Sequence, residues 1–263
     1  PYFYIILGKL MMLVVISPAK KLNENCDASL IPKFTLPSRL DNSKKIVSTL
    51  RKYSSKSLGK LMNVSEKISN LNYERYIKWS IPFNKSNAHP ALLLFQGDVY
   101  KGISADDFDK DDFVFAQKSL RILSGLYGIL KPLDLIQPYR LEMGTQLKIG
   151  KHKDLYHFWG NEITSQINKD KNNEYLINLA SAEYFKSINI DSLKPKLINI
   201  IFKEKRNGSF KIIGIHAKKA RGLMSRYIIK NKISNPEKLK KFNYEKYKYN
   251  SKLSSSNDWV FTR

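Results

Sequence analysis

Cysteine is almost missing from this chain: Cys26 is the one thiol in 263 residues. A single thiol makes no intramolecular disulfide, no CxxC pair and no two-cysteine peroxide cycle, so a disulfide-stapled secreted scaffold is excluded and a reducing, cytoplasmic compartment is expected. Histidine is scarce too. His89, His152, His157 and His216 show neither HxxxH nor HExxH spacing, and one cysteine builds no structural zinc site, so neither a metal nor another cofactor is expected. Paired Glu-x-x-His motifs are lacking, which sets ferritin-like iron storage aside. No apolar run is long enough for a bilayer. The first residues, "PYFYIILGKLM", are split by Gly8 and Lys9 and lead to no A-x-A cleavage site, so they read neither as a secretory leader nor as a membrane partner. Pro1 is no initiator; the natural start is expected at Met11 or Met12, with residues 1–11 an upstream extension and 12–263 a single domain.

What the chain lacks in acid it has in base. Lys plus Arg number 46 against 23 Asp plus Glu, a formal charge of +23, which is the footprint of a protein that meets polyanions. A bland source stays open: abundant Lys, Asn and Ile follow from an AT-rich genome, and a solvated lysine surface needs no ligand. Distribution argues for more than that. Between Lys203 and Lys252 lie 16 basic residues and three acids, Glu204, Glu237 and Glu245. Only nine of the 46 cations are Arg, and Arg121, Arg140, Arg221 and Arg226 fall in the two most glycine-marked stretches, where a planar, always-charged fork has a use that lysine does not serve.

Short apolar runs alternate with helical periodicity. Strands are expected at Leu13 to Ile16, Ala91 to Tyr100, Glu174 to Ser181, Lys196 to Phe202 and Ser209 to Ala217, the last two joined by an Asn207-Gly208 hairpin turn. Helices are expected over Asn42 to Tyr53, Ser65 to Trp79, Asp109 to Leu123, Leu155 to Asn168, Ala182 to Ile188 and Ala217 to Ile233. The acids of "DDFDKDDF" sit at the amino end of the third, where the helix dipole favours them without any metal. Interleaved strands and helices predict an α/β fold, a mixed sheet with surrounding helices.

Six motifs in order carry a resemblance: "ISPAKKL" (16–22), "FQGDVYKG" (95–102), "LSGLYGILKPLDLIQPYRLEMG" (123–144), "DLYHFWG" (154–160), "NLASAEYFK" (178–186) and "AKKARGLMSRYII" (217–229). Together they resemble the YaaA family of bacterial peroxide stress proteins from Met12 almost to the end. The resemblance implies a compact fold particular to that family, a cytoplasmic role in the peroxide response, limitation of free iron, and binding or protection of DNA. It implies no settled reaction.

The residues themselves offer ways to hold phosphate. A helix ending near Leu123, a turn at Gly125 and Gly128, and a short helix from Pro132 resemble a helix-hairpin-helix; bare glycine backbone and free amides admit a phosphate, with Lys131 adding charge. The plain alternative is a tight turn in which the glycines serve packing. Arg140 stands two residues from Glu142, in position to pair with it and be held as a phosphate ligand. On a helix, Lys218 and Arg221 share one edge and Lys219, Gly222 and Arg226 the next, giving a cationic face, against the alternative of an ordinary amphipathic helix. Gly222 inside that helix points to close approach of a backbone or ligand. Polar clusters follow the apparent strands: Ser17 and Lys20, then Gly97, Asp98, Tyr100 and Lys101, then Ser181, Glu183, Tyr184 and Lys186. Strand carboxyl ends are where α/β clefts open.

Two functions are therefore weighed. One is a monomer that grips DNA phosphates in a basic cleft without reading sequence. The other is an enzyme on a phosphorylated small molecule or nucleotide, with Lys20, Arg140, Lys186, Lys219 and Arg221 as anion ligands and Glu142 or Glu183 as acid or base.

Overall fold

The run "MLVVI" is apolar at every position, the pattern of a strand covered on both faces, and Met12–Ile16 (β1) is buried along its whole length. The computed structural model describes residues 12–31, 33–170 and 173–263; the upstream extension expected at 1–11 lies outside them. Further strands are Leu120–Ser124 (β2), Gly128–Leu130 (β3), Tyr175–Leu179 (β4), Lys196–Arg206 (β5), Ser209–Lys211 (β6), Lys248–Tyr249 (β7) and Asp258–Thr262 (β8). They form one sheet in the order β7-β8-β5-β4-β1-β2-β3, with β6 hairpinned onto β5. The middle of the sheet is parallel, and β3, β6 and β7 add antiparallel pairing. The fold is thus mixed α/β.

Helices are Leu40–Leu50 (α1), Ser55–Met62 (α2), Glu66–Lys78 (α3), Asp98–Ile103 (α4), Lys110–Ser119 (α5), Leu155–Trp159 (α6), Glu162–Lys169 (α7), Ala182–Phe185 (α8) and Gly214–Lys230 (α9). The acids before α5 act locally: Asp109 and Asp112 close a reciprocal capping box, and the buried Asp112 also takes Lys230 at 2.7 Å and Lys232. Among the described residues no helix is long and apolar enough to cross a membrane.

The helix-hairpin-helix expectation is corrected here. Helix α5 stops at Ser119, and Leu120–Ser124 turns into a strand parallel to β1, with Val14 opposite Leu120 and Ile16 opposite Ile122. The glycine turn then joins β2 to β3, Ser124 facing Gly128, so the element is a β-hairpin. The apolar stripe that suggested a helix through Leu123 satisfies a buried strand equally well, and the vacancy beside β1 decides between them. Both hairpin glycines are buried. A side chain at Gly125 would run into the Leu141 carbonyl, and Gly128, at φ +74, lies under the Trp159 ring, 2.8 Å from where its Cβ would be.

Other boundaries shift as well. Ala91–Leu94 is a helical turn and Phe95–Gln96 a two-residue strand, antiparallel to Lys21–Leu22, so the expected strand from Ala91 to Tyr100 breaks into pieces around Gly97. The expected helix from Leu155 divides at Gly160, whose φ is +46. The strand expected through Ala217 ends at Lys211, and α9 begins at Gly214.

Candidate functional site

Because the chain leaves β1 for β2 on one side and returns to β4 on the other, the sheet changes direction at β1. In an open α/β sheet the crevice lies outside the carboxyl ends of the strands at such a point. Ser17 and Ser181 follow β1 and β4, and they join across that gap: the Ser181 amide donates to Ser17 Oγ at 2.8 Å, and Ser17 Oγ donates to Ser181 Oγ at 3.2 Å. Above them opens a cleft of about 410 Å³. Its walls come from "SPAKK", "QGDVY", Glu142, "SAEY" and two cations of α9, Lys218 and Arg221.

The floor is aromatic and neutral. Burial pushes the Tyr100 and Tyr184 phenols well above their ordinary value, with nearby Tyr139 adding to the shift, so both stay protonated. Tyr100 donates to the Ser17 carbonyl at 3.1 Å. Carboxylates line the rim. Glu142 bridges two cations, Lys20 at 2.8 Å and Arg140 at 3.3 Å, so the pairing expected between Arg140 and Glu142 is present. Glu183 accepts the Gly144 amide at 3.0 Å, tying the 140s loop to α8. Asp98, at the start of α4, also faces the cleft.

Arg221 differs from its neighbours. Burial pushes its guanidinium below the ordinary arginine value, and no carboxylate offsets the loss of water. The other arginines all have acceptors: Arg39 on Glu162, Arg51 on three carbonyls, Arg75 on Glu24, Arg121 on Asp170 and carbonyls, Arg140 on Glu142, Arg206 and Arg263 on Glu204, Arg226 on Asp107. Among the described residues Arg221 has none. A desolvated cation without a counter-charge is costly unless a ligand supplies one.

The expected phosphate ligands divide accordingly. Lys20, Lys218 and Arg221 meet in the cleft with Glu142 and Glu183. Lys219 turns away to Glu245 at 2.5 Å. Arg226 grips Asp107 with two bonds of 2.7 and 2.6 Å and also donates to the Ile103 and Ser104 carbonyls, which makes it a staple between α9 and the end of α4. Lys186 stands over the Tyr156 ring at 5.0 Å. Lys131 lines a separate cavity with Arg39 and Arg121. Gly125 is packed against the backbone of Leu141 and Gly128 under the Trp159 ring, and neither lines the cleft. Gly222 does serve close approach, and the approaching group is backbone: a Cβ there would lie 2.9 Å from Gly102 Cα.

Two lining residues, Lys21 and Gln96, went unselected as ligands. They face each other in the short antiparallel pairing that draws "SPAKKL" against "FQGDVYKG". The doubled lysine of "AKK" was the available signal.

Five of the six motifs thus converge on the cleft or its rim, and the sixth supports it from below: Tyr156 donates to the Glu183 carbonyl at 2.9 Å, and Trp159 donates to the Gly125 carbonyl at 3.0 Å. A family profile described as "Peroxide stress protein YaaA" matches residues 12–253. Similar curated proteins include a UPF0246 protein of Acaryochloris marina, 51% identical over 253 residues that cover 96% of this chain and 100% of the relative. UPF0246 proteins of Teredinibacter turnerae and Saccharophagus degradans are each 49% identical, covering 96% of this chain and 99% of the relative.

Proposed function

The chain belongs to the YaaA family of peroxide stress proteins, and on that premise we propose that it binds DNA through phosphate contacts in the cleft at the ends of β1 and β4, without reading base sequence. The observation that carries this reading is Arg221, half-buried in the cleft wall with no acidic partner among the described residues. A phosphodiester oxygen supplies the missing counter-charge in a geometry that suits a guanidinium fork. Lys218, exposed one turn before it, and Lys20, held on the cleft rim by Glu142, extend the contact to neighbouring phosphates. Limiting free iron and oxidative damage is the physiological setting of this proposal; the cleft residues are assigned to phosphate.

Salt titration of duplex binding tests it. About three phosphate contacts give a slope of about −3 in log affinity against log salt. Arg221→Ala is expected to weaken binding about tenfold, alike for unrelated sequences, and to reduce the slope by about 1. An affinity that stays flat from low to moderate salt overturns the proposal.

A second reading rests on a different observation: Asp98, Glu142 and Glu183 bring three carboxylates to a cleft that phosphate gripping alone does not require. It makes the protein an enzyme on a phosphorylated small molecule or nucleotide, with Glu183 or Glu142 in acid or base roles. Saturable turnover abolished in Glu183→Gln at unchanged DNA affinity would establish it.

A further inference from the structure

The β5–β6 hairpin projects large apolar side chains into solvent. From Lys205 to Ile212 every residue is exposed, the Asn207-Gly208 turn has the two positive φ values of a tight hairpin, and Phe210, Ile212 and Ile215 are 37%, 57% and 61% exposed. Monomeric proteins seldom group such residues on a surface without a use for them. The charge around them has one sign. Lys205 lies directly opposite Phe210 in the β5–β6 register, on the same face, and Lys211 follows. The hairpin's one acid, Glu204, is buried at its base, where Arg206, Arg263 and His216 contact its carboxylate and Tyr247 donates to it at 3.0 Å. The projection is therefore cationic, apolar-tipped and firmly rooted.

It also runs straight into the cleft wall. Ile215 lies in the first turn of α9, which starts at Gly214; Lys218 follows one turn on as its i+3 neighbour, Arg221 is the i+3 neighbour of Lys218, and both cations line the cleft. From Ile215 to Arg221 the helix rises about 9 Å.

We infer that the hairpin and the first turn of α9 form a stacking wedge for unpaired bases of a nucleic-acid strand whose phosphates lie along Lys218 and Arg221. This rests on the phosphate-binding reading of the cleft and adds to it a preference for single-stranded, gapped or mismatched DNA. A polyanion with flat apolar faces complements both properties of the hairpin, and base faces stack on exposed rings without regard to sequence. Continuity with the Arg221 wall selects this occupant over a lipid surface.

The full chain carrying Phe210→Trp tests the inference by fluorescence. A 20-nucleotide oligo-dT is expected to quench the new tryptophan relative to the parent, and Phe210→Ser combined with Ile215→Ser is expected to weaken oligo-dT binding about tenfold while duplex affinity changes less than about twofold. Arg221→Ala weakens both ligands. If duplex and oligo-dT bind with normal salt dependence but the double variant changes neither, the wedge is wrong and the cleft reading survives. If neither ligand binds the parent protein, the cleft reading fails and the wedge with it. A blue shift on phosphatidylglycerol vesicles without quenching by DNA assigns the hairpin to membranes and overturns the inference. So does sedimentation showing a dimer that the double variant abolishes.

Discussion

Arg221 and Arg226 lie five residues apart on one helix and have opposite fates. Arg226 closes a bidentate pair with Asp107 and two carbonyl contacts, so its loss is a matter of stability. Arg226→Ala is expected to lower unfolding free energy by about 1–3 kcal/mol, read from urea denaturation, with DNA affinity within about twofold of the parent. Arg221→Ala reverses the pattern, since no internal partner is lost. Arg221→Lys restores charge without the fork and is expected to recover only part of the affinity. The thiol offers a further residue-scale test. Burial pushes the Cys26 thiol above its ordinary value, so the thiolate is scarce at neutral pH even with His89 Nδ1 3.9 Å from the sulfur. Alkylation and peroxide oxidation at pH 7 are expected to run slower than for an exposed model thiol, a lag that mass spectrometry over time would detect. A rate equal to or above that of the model thiol would contradict this.

At the level of elements, the crossing of α9 over α4 depends on two glycines. Gly222 meets the Val99 carbonyl and Gly102 Cα, leaving no room for a methyl. In an open helix Gly→Ala stabilises by about 1 kcal/mol. Here Gly222→Ala is expected to destabilise by about 3 kcal/mol, because the two helices must separate. A stabilising change, read from urea denaturation, would contradict the close crossing. That close approach was readable from one glycine inside a helical pattern. The fate of "LSGLYG" was not. Leu120 to Leu123 fits a helix stripe and a buried strand alike, and only the neighbouring edge of β1 makes it a strand. The Asn207-Gly208 turn lay at the other extreme, since two positive φ positions in sequence leave few other choices.

For the whole molecule, the paired carboxylates set the acid limit of stability. Burial pushes Asp112 up, but hydrogen bonds from Lys230 and Lys232 outweigh it and hold the carboxyl below its ordinary value. Glu204 behaves alike: burial raises it, and Arg263, Tyr247 and His216 carry it below. A depressed carboxylate contributes stability that is fully present above its unfolded value, near about 4, and lost as pH falls through the folded value. The urea midpoint is therefore expected to be level between about pH 7 and 5 and to fall below about pH 4, with Asp112→Asn removing part of that slope. A midpoint that stays level to pH 2 would show that these pairs do not support the fold.

The amino-acid sequence determined by itself the class of fold, the family, the basic character and the short motifs that surround the cleft. These depend on composition, local turn chemistry and residues close in the chain, and they survive any packing. Tertiary structure decided which cations face the cleft. Lys218 and Lys219, or Arg221 and Arg226, are equivalent as helix-surface positions until Glu245 and Asp107 arrive from distant segments and neutralise one of each pair. A charge is freest for a ligand where no internal partner holds it, and partners far apart in the chain meet only once the core has closed.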